Sequence, residues 1–269
     1  GEITPMRYGG NYKSYGPQYP RGIQEGNGVP ADGDLWVSYS VNKEDMWISR
    51  IPVPVEINAS AHADDDFSKN KSIAELTDWN IYSPVWAPVS LEDQWLKLQD
   101  KDPFDYAKVE RKIPASKELK VSFDLKAGQN NKGTLHIEFL DENGIACSRM
   151  ELTDDGIFRL KGGSRFANMM KYEAGKIYHV EAVLSTVDRN IQVYVDGKRV
   201  GLRMFYAPVA AVERIVFRTG VPRTFPTVDT PADQTYDLPN AGAQDPLAEY
   251  GIANVKTSST DKDASSAFL

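Results

Sequence analysis

Residues 176–200, KIYHVEAVLSTVDRNIQVYVDGKRV, contain two runs in which large apolar and polar residues alternate. Asp196-Gly197 follows the second run, and Asp155-Gly156 separates two earlier runs of the same kind. Such dipeptides suit the tight turns that join antiparallel strands. Because successive side chains of a strand point to opposite faces, each run is expected to bury one face of a sheet.

The same pattern recurs from Phe67 to the end of YGIANVKTS, with turn residues between the runs. Nothing between them has the length or spacing of a long amphipathic helix. Many short strands at hairpin spacing are typical of two-sheet sandwiches. The sequence therefore predicts an all-β fold, an antiparallel two-sheet β-sandwich.

A separate hairpin signal lies near the N-terminus, from Asp32 to Val55. LWVSYSV and MWISRIPV both alternate, and Asn42 to Asp45 would turn between them. Pro52 and Pro54 end regular pairing because proline donates no hydrogen bond to a strand ladder. A lone hairpin is marginally stable in water, so this segment must dock on another part of the protein.

Composition changes after this hairpin and suggests a domain boundary. EINASAHADDD, residues 56–66, is typical of a linker into a new domain. We therefore expect an N-terminal loop and hairpin segment at 1–58 and a sandwich at 59–269. Residues 1–31 are rich in Gly, Tyr and Pro, which predicts loop. The Pro- and Asp-rich residues 221–247 predict a long loop.

The charge balance argues against nucleic-acid and anionic-membrane partners. The formal net charge is −7 and the isoelectric point is about 5.1, whereas nucleic acids and anionic membranes attract basic faces. No apolar run approaches the ~20 residues that span a bilayer. We therefore expect no nucleic-acid partner and no membrane insertion.

A first family resemblance covers most of the chain. KIYHVEAVLSTVDRNIQVYVDGKRV resembles the central strands of concanavalin A-like jelly rolls of the laminin-G and lectin type. YGIANVKTS resembles the last strand of such domains, which pairs near the first strand, here DDDFS. The resemblance implies a jelly-roll fold but does not choose among the functions that this fold supports.

A second resemblance covers residues 7–55. RYGGNYKSYGPQYPRGIQEGNG, followed by GDLWVSYSVNKEDMWISRIPVPV, resembles the end of a sialidase-like, BNR-repeat β-propeller. In bacterial polysaccharide-degrading proteins of that kind, a jelly-roll module follows the propeller directly, and DWNIYSPVWAPVS resembles the start of that module. Only about one blade is present, which implies an upstream propeller domain in a longer protein.

Together the resemblances imply a non-catalytic carbohydrate-binding or accessory module of a sialidase-like glycoside hydrolase that acts on extracellular polysaccharide or glycan. Such a protein would be secreted or periplasmic. Two alternatives stay open. The chain would be a glycoside hydrolase in its own right if two carboxylates faced each other in the sandwich. It would be a structural or interaction module if the N-terminal hairpin completed the sandwich or a dimer interface.

The propeller resemblance also suggests catalytic residues. Sialidase-like sites use arginine to hold an acidic sugar and a Tyr/Glu pair for nucleophilic attack, which points to Tyr19, Arg21 and Glu25 in QYPRGIQEGNG. The alternative is a Gly-rich loop with an ordinary surface ion pair.

Aromatic side chains at the start of the sandwich suggest ligand binding. Trp79, Tyr82 and Trp86 lie close together in DWNIYSPVW, and Asp78 stands beside them. Aromatic rings stack on sugar rings while carboxylates bind the hydroxyls. The alternative is that the aromatic residues anchor the core.

Asp64, Asp65 and Asp66 form the one metal-site candidate, since clustered hard oxygens suit Ca²⁺. A structural calcium ion is the only cofactor that the sequence leaves open, and a solvated acidic linker is the alternative. His62, His136 and His179 lack zinc-binding spacing. Glu138, Asp141 and Glu151 are expected to face solvent on a sheet, and Cys147 to be a buried, inert thiol.

Overall fold

The computed structural model describes residues 17–23, 34–41, 45–51, 61–102, 106–220 and 244–260. These residues are almost entirely β-strand, with one short 3₁₀ turn at Ile73–Glu75. The chain divides into two compact units. In the part of the chain just defined, no helix is long and apolar enough to cross a membrane.

The N-terminal unit contains a three-stranded antiparallel sheet. Its strands, in spatial order, are β1 (Pro17–Ile23), β2 (Leu35–Val41) and β3 (Asp45–Ile51). Strands β2 and β3 form the predicted hairpin, with Leu35 opposite Ile51. Tyr39 and Trp47, which are also paired across the hairpin, stack with ring centroids 6.3 Å apart. The hairpin prediction is therefore confirmed.

The prediction of loop for residues 1–31 is wrong at 17–23, which form β1. Two prolines and a glycine hide the strand pattern in PQYPRGI. An edge strand tolerates them because its outward N–H groups need no partner in the sheet. The pairing with β2 shifts register between Gln18 and Arg21, where Tyr19 has a φ of 54°.

The second unit is a sandwich of two antiparallel sheets. Its strands are β4 (Asp64–Asp65), β5 (Trp79–Tyr82), β6 (Val89–Glu92), β7 (Trp95–Asp100), β8 (Lys108–Ser116), β9 (Glu118–Ala127), β10 (Leu135–Leu140), β11 (Ala146–Leu152), β12 (Ile157–Gly162), β13 (Arg165–Lys171), β14 (Ile177–Ser185), β15 (Asn190–Val195), β16 (Lys198–Met204), β17 (Val212–Thr219) and β18 (Ala248–Ser259). One sheet has seven strands in the order β13-β12-β11-β10-β17-β8-β5. The eight-stranded sheet has the order β16-β15-β14-β9-β18-β7-β6, with β4 paired to β18.

This architecture confirms the predicted all-β, two-sheet sandwich. The predicted pairing of the last strand with the first also holds, since Val255 of β18 lies opposite Asp65 of β4 and Lys256 lies opposite Asp64. The two sheets enclose one apolar core. Phe123 on β9 and Phe217 on β17 meet edge to face at 5.0 Å, so this core joins the two sheets directly.

Two details of the sandwich escaped the sequence pattern. SLEDQWLKLQD forms the two strands β6 and β7, because Asp93 and Gln94 both adopt positive φ and close a tight turn. Neither residue is a glycine, so the turn left no signal. RFANMMK forms β13 although it contains no β-branched residue.

Candidate functional site

The outer face of the seven-stranded sheet concentrates charged side chains. Along β10, Leu135, Ile137 and Phe139 are fully buried in the core, so His136 and Glu138 project from the opposite face. We call the positions that alternate with the core on β8, β17, β10, β11 and β12 the outer face. Its charged residues are seven cations, Lys108, Lys112, Arg149, Arg159, Lys161, Arg214 and Arg218, and three carboxylates, Glu110, Glu138 and Glu151.

One row of residues crosses this sheet from edge to edge. Cross-strand register places its members in the order Tyr82, Lys108, Arg218, His136, Glu151, Arg159 and Asn168. Neighbouring strands lie about 4.8 Å apart, so adjacent members are within reach of each other. We call this the central row. It presents hydrogen-bond donors along its whole length, with Glu151 as its one carboxylate.

Ion pairs hold each carboxylate of the outer face in place. Arg149 Nη2 lies 2.5 Å from Glu138 Oε1, and Arg159 Nη2 lies 2.7 Å from Glu151 Oε2. Lys108 Nζ lies 2.9 Å from an oxygen of Glu110. Sequence analysis expected Glu138 and Glu151 to face solvent, and this is wrong because both are buried in these pairs.

Glu151 is the most enclosed of these carboxylates, with only 2% of the residue exposed. Burial acts to raise its pKa, but His136 and Arg159 outweigh that effect, so the pKa of Glu151 is lowered. His136 Nδ1 lies 3.1 Å from Glu151 Oε1. Glu151 is therefore an ionised acceptor that positions its neighbours, whereas a general acid needs a raised pKa.

Aromatic rings and cations meet at one end of the outer face. We call Arg149, Arg159, Lys161, Phe166 and Tyr206 the cationic–aromatic patch. Lys161 Nζ lies 4.4 Å from the ring centroid of Tyr206 and 5.8 Å from that of Phe166. The guanidinium carbon of Arg159 lies 4.3 Å from the Phe166 centroid. Such contacts orient cations without neutralising them.

Loop and strand geometry place the rings of this patch. The backbone N–H of Tyr206, which follows β16, donates to the carbonyl of Cys147 at 3.0 Å. Phe166 lies opposite Lys161 in the β12–β13 ladder. The side chains of Arg149 and Arg159 are 15% and 37% exposed, and Phe166 is 36% exposed, so part of the patch is accessible to a ligand.

Buried polar atoms on this face that lack a hydrogen-bond partner within the described ranges include the Tyr206 hydroxyl and Nε of Arg214. The ring nitrogens of His136 make no hydrogen bond of good geometry, although Nδ1 keeps its contact with Glu151. His136 is only 3% exposed. Burial raises the pKa of Tyr206, so its hydroxyl keeps its proton as a donor. Unpaired buried donors of this kind are uncommon and often mark functional sites.

The predicted ligand residues separate into core and surface groups. Trp79 lies in the core, 7% exposed, and its indole N–H donates to Asp65 Oδ2 at 3.0 Å. Asp78 is exposed and lies 3.5 Å from Arg111 Nη2. Trp86 is half-buried in the turn between β5 and β6. Tyr82 belongs to the central row, with its ring 5.2 Å from that of Tyr106.

The three predicted metal ligands turn to three different partners. Asp64 pairs with Lys256 at 3.0 Å. Asp65 accepts from Arg111 Nε at 2.8 Å, and Asp66 accepts from the backbone and hydroxyl of Ser68. Over the ranges that the structure describes, no three His, Cys, Asp or Glu side chains are grouped to hold a metal ion. The calcium site stays a prediction from the sequence alone.

Two of the three predicted catalytic residues lie on β1. Tyr19 and Arg21 are both exposed there, and Glu25 lies outside the described residues. Their catalytic role stays a prediction. Cys147 is buried, and burial raises the pKa of its thiol to about 12, which agrees with the expectation of an inert thiol.

Sequence analysis missed the charged outer face as a unit. The signal was present as charges at every second position of predicted strands, in KVERK, LHIEF, CSRME and FRLK. Alternation showed that these side chains leave the core. It did not show that strands distant in sequence bring them into one row.

Comparisons with known proteins place the sandwich in a family. A family model described as "Sialidase-like, CBM domain" matches residues 79–234, more than half of the chain. A solved structure named "Sialidase" is 90% identical, with a TM-score of 0.93 over all of this chain. The chain spans 25% of the length of that structure. No significant match was found among curated proteins.

More distant structures share the fold. One, described under "Prominent members of the human gut microbiota express endo-acting O-glycanases to initiate mucin breakdown", has a TM-score of 0.52 at 12% identity, covering 72% of this chain and 97% of its own. Another, "Apo Crh5 transglycosylase", has a TM-score of 0.53 at 12% identity, covering 76% of this chain and 86% of its own. At such identities the likeness concerns the fold alone.

Proposed function

Because the chain belongs to the family of sialidase-like carbohydrate-binding (CBM) domains, we propose that its sandwich binds a glycan on the outer face of the seven-stranded sheet. The observation that carries this location is the combination of aromatic rings with an unpartnered buried hydroxyl. Phe166 and Tyr206 offer ring surface, and the Tyr206 hydroxyl offers a hydrogen bond that no described residue accepts. Sugar sites need both kinds of group.

The charged groups of this face favour binding over catalysis. Glu138 and Glu151 are each held by an arginine, and the pKa of Glu151 is lowered. A retaining or inverting glycosidase needs one carboxylic acid that stays protonated near neutral pH. The sandwich therefore acts as an accessory module that holds glycan, and a separate domain performs any hydrolysis.

We place that hydrolysis in a sialidase-like propeller of the longer protein, with the three-stranded sheet as part of its last blade. Met46 and Ile48 on β3 are 78% and 63% exposed, which leaves apolar surface for a neighbouring blade to cover. The substrate would be an extracellular glycan, and the protein would work outside the cell or in the periplasm.

Glycan binding by the full chain tests the proposal. A glycan array should give reproducible binders, and calorimetry should show that Phe166→Ala weakens the best one roughly fivefold, since a lost ring contact is worth about 1 kcal/mol. Tyr194→Ala is the matched control, because Tyr194 projects from β15 of the other sheet. Loss of binding in Tyr194→Ala alone would move the site to the eight-stranded sheet. An array without any binder would reject the function.

A further inference from the structure

The outer face is positively charged on a chain that is acidic as a whole. Its charged positions comprise seven cations and three carboxylates, whereas the whole chain carries a formal charge of −7. Four of the cations, Lys108, Arg149, Arg159 and Arg214, pair with the three carboxylates. Cations therefore outnumber carboxylates on this face, and an anionic ligand would find a favourable local field there.

Lys161 is the clearest case of a cation without a counter-charge. No carboxylate of a described residue lies within ion-pair distance of its ammonium group, which instead lies between the rings of Tyr206 and Phe166. The residue is half-buried. A partly desolvated ammonium group gains more from an anionic partner than an exposed one does, because water screens the interaction less.

The neighbouring groups complete a binding site for an anionic group. Arg149 lies over the Tyr206 ring at 6.0 Å, and Arg159 covers Phe166 at 4.3 Å. The unpartnered Tyr206 hydroxyl adds a neutral donor on the same ring that the Lys161 ammonium group contacts. Charge-assisted hydrogen bonds from Lys and Arg are stronger than neutral ones, and they favour carboxylate or sulfate oxygens over hydroxyls.

We infer that the glycan bound by this face is acidic, and that Lys161 with Tyr206 binds its carboxylate or sulfate group. This inference rests on the proposed glycan-binding function and adds the chemical class of the ligand. A carboxylated and a sulfated sugar present the same chemistry to this patch, so the experiment must separate them.

Calorimetry on the full chain with three related sugars provides that test. Lactose, sialyllactose and sulfated lactose share a neutral scaffold and differ in the acidic group. At low salt, we expect sialyllactose or sulfated lactose to bind at least roughly tenfold more tightly than lactose. The acidic glycans of the array should likewise bind more tightly than the neutral ones. The preference should shrink as salt is added, because screening weakens charge pairing. Which acidic sugar binds more tightly identifies the group.

Variants at Lys161 connect the preference to this residue. Lys161→Gln should reduce affinity for the acidic sugar roughly tenfold, whereas Lys161→Arg should retain most of it. Lys120→Gln is the matched control, because Lys120 is a lysine on the other sheet, 2.6 Å from Glu181. Circular dichroism and thermal unfolding check that each variant is folded.

The outcomes separate the inference from the function on which it rests. Equal binding of acidic and neutral sugars, or binding of neutral array members only, would overturn the inference and leave glycan binding intact. An unchanged acidic preference in Lys161→Gln would also overturn it. An array without any binder would reject the proposed function itself.

Discussion

The ammonium group of Lys161 lies 4.4 Å from the ring centroid of Tyr206, and the hydroxyl of that tyrosine has no hydrogen-bond partner among the described residues. The ring therefore orients the cation while the hydroxyl keeps its hydrogen-bonding capacity. A buried hydroxyl without a partner destabilises the folded state. The unpartnered hydroxyl of Tyr206 on the ring next to the Lys161 ammonium group is explained if a bound ligand supplies a hydrogen-bond acceptor for it.

Tyr206→Phe separates stability from binding at this position. Removing an unpartnered hydroxyl should leave the free energy of unfolding unchanged or raise it slightly. Glycan affinity should fall by about 1 kcal/mol, roughly fivefold, because one hydrogen bond to the ligand is lost. Urea unfolding and calorimetry on the same preparations measure both quantities. A stability loss above about 1 kcal/mol, with unchanged affinity, would show that the hydroxyl has a structural partner instead.

Glu151 should make stability depend on pH in the acid range. Its pKa in the folded state is lowered, chiefly because His136 and Arg159 outweigh the effect of burial, and the unfolded value is about 4.3. The folded state thus binds fewer protons, so the contribution is fully present above pH ~4.3 and disappears as pH falls through the folded-state value.

Urea unfolding at a series of pH values checks this dependence. The difference in unfolding free energy between wild type and Glu151→Gln should be largest near neutral pH and should shrink below pH ~4. Glu173→Gln is the control, since the Glu173 side chain is exposed and pairs with exposed Lys176. A difference that stays constant down to pH ~3 would contradict the lowered pKa.

Particular residues show which features the sequence could predict and which needed the structure. Alternation of apolar and polar residues predicted the strands and the hairpin, because that pattern is contained in a few consecutive residues. The partner of Trp79 is Asp65, on a strand of two residues that has no pattern of its own. The central row requires the register of seven strands, and each cross-strand pair in it joins residues that the sequence separates.

Asp65 should be a structural residue, unlike its neighbour Asp64. Asp65 accepts hydrogen bonds from Arg111 and from the Trp79 indole, and the Arg111 side chain is only 5% exposed. Asp65→Ala would leave the Trp79 indole N–H unpaired and the buried Arg111 guanidinium with only the exposed Asp78 carboxylate at 3.5 Å and the Lys112 carbonyl at 2.7 Å. We therefore expect a loss of about 2 kcal/mol in the free energy of unfolding.

Asp64→Ala provides the matched control for that substitution. Asp64 and its partner Lys256 have exposed side chains, 80% and 60%, so its loss should change stability by less than about 0.5 kcal/mol. Thermal unfolding of both variants with added calcium and with a chelator also tests the predicted calcium site. A rise in unfolding temperature with calcium, abolished in either variant, would establish that site in place of the purely structural role.

The Glu138–Arg149 pair allows the charge of the outer face to be separated from its packing. Arg149 Nη2 lies 2.5 Å from Glu138 Oε1, and both side chains are mostly buried. Removing one partner leaves an uncompensated charge, so Glu138→Leu or Arg149→Met alone should lower the free energy of unfolding by about 3 kcal/mol. The double variant should recover most of that loss, because apolar residues of similar size replace a desolvated pair. A double-mutant cycle by urea unfolding measures the coupling between the two residues.

The outcomes of that cycle distinguish two roles of Arg149. Recovered stability of the double variant together with weakened binding of the acidic glycan would show that Arg149 contacts the ligand. If the losses instead add without coupling, the pair does not stabilise the sheet.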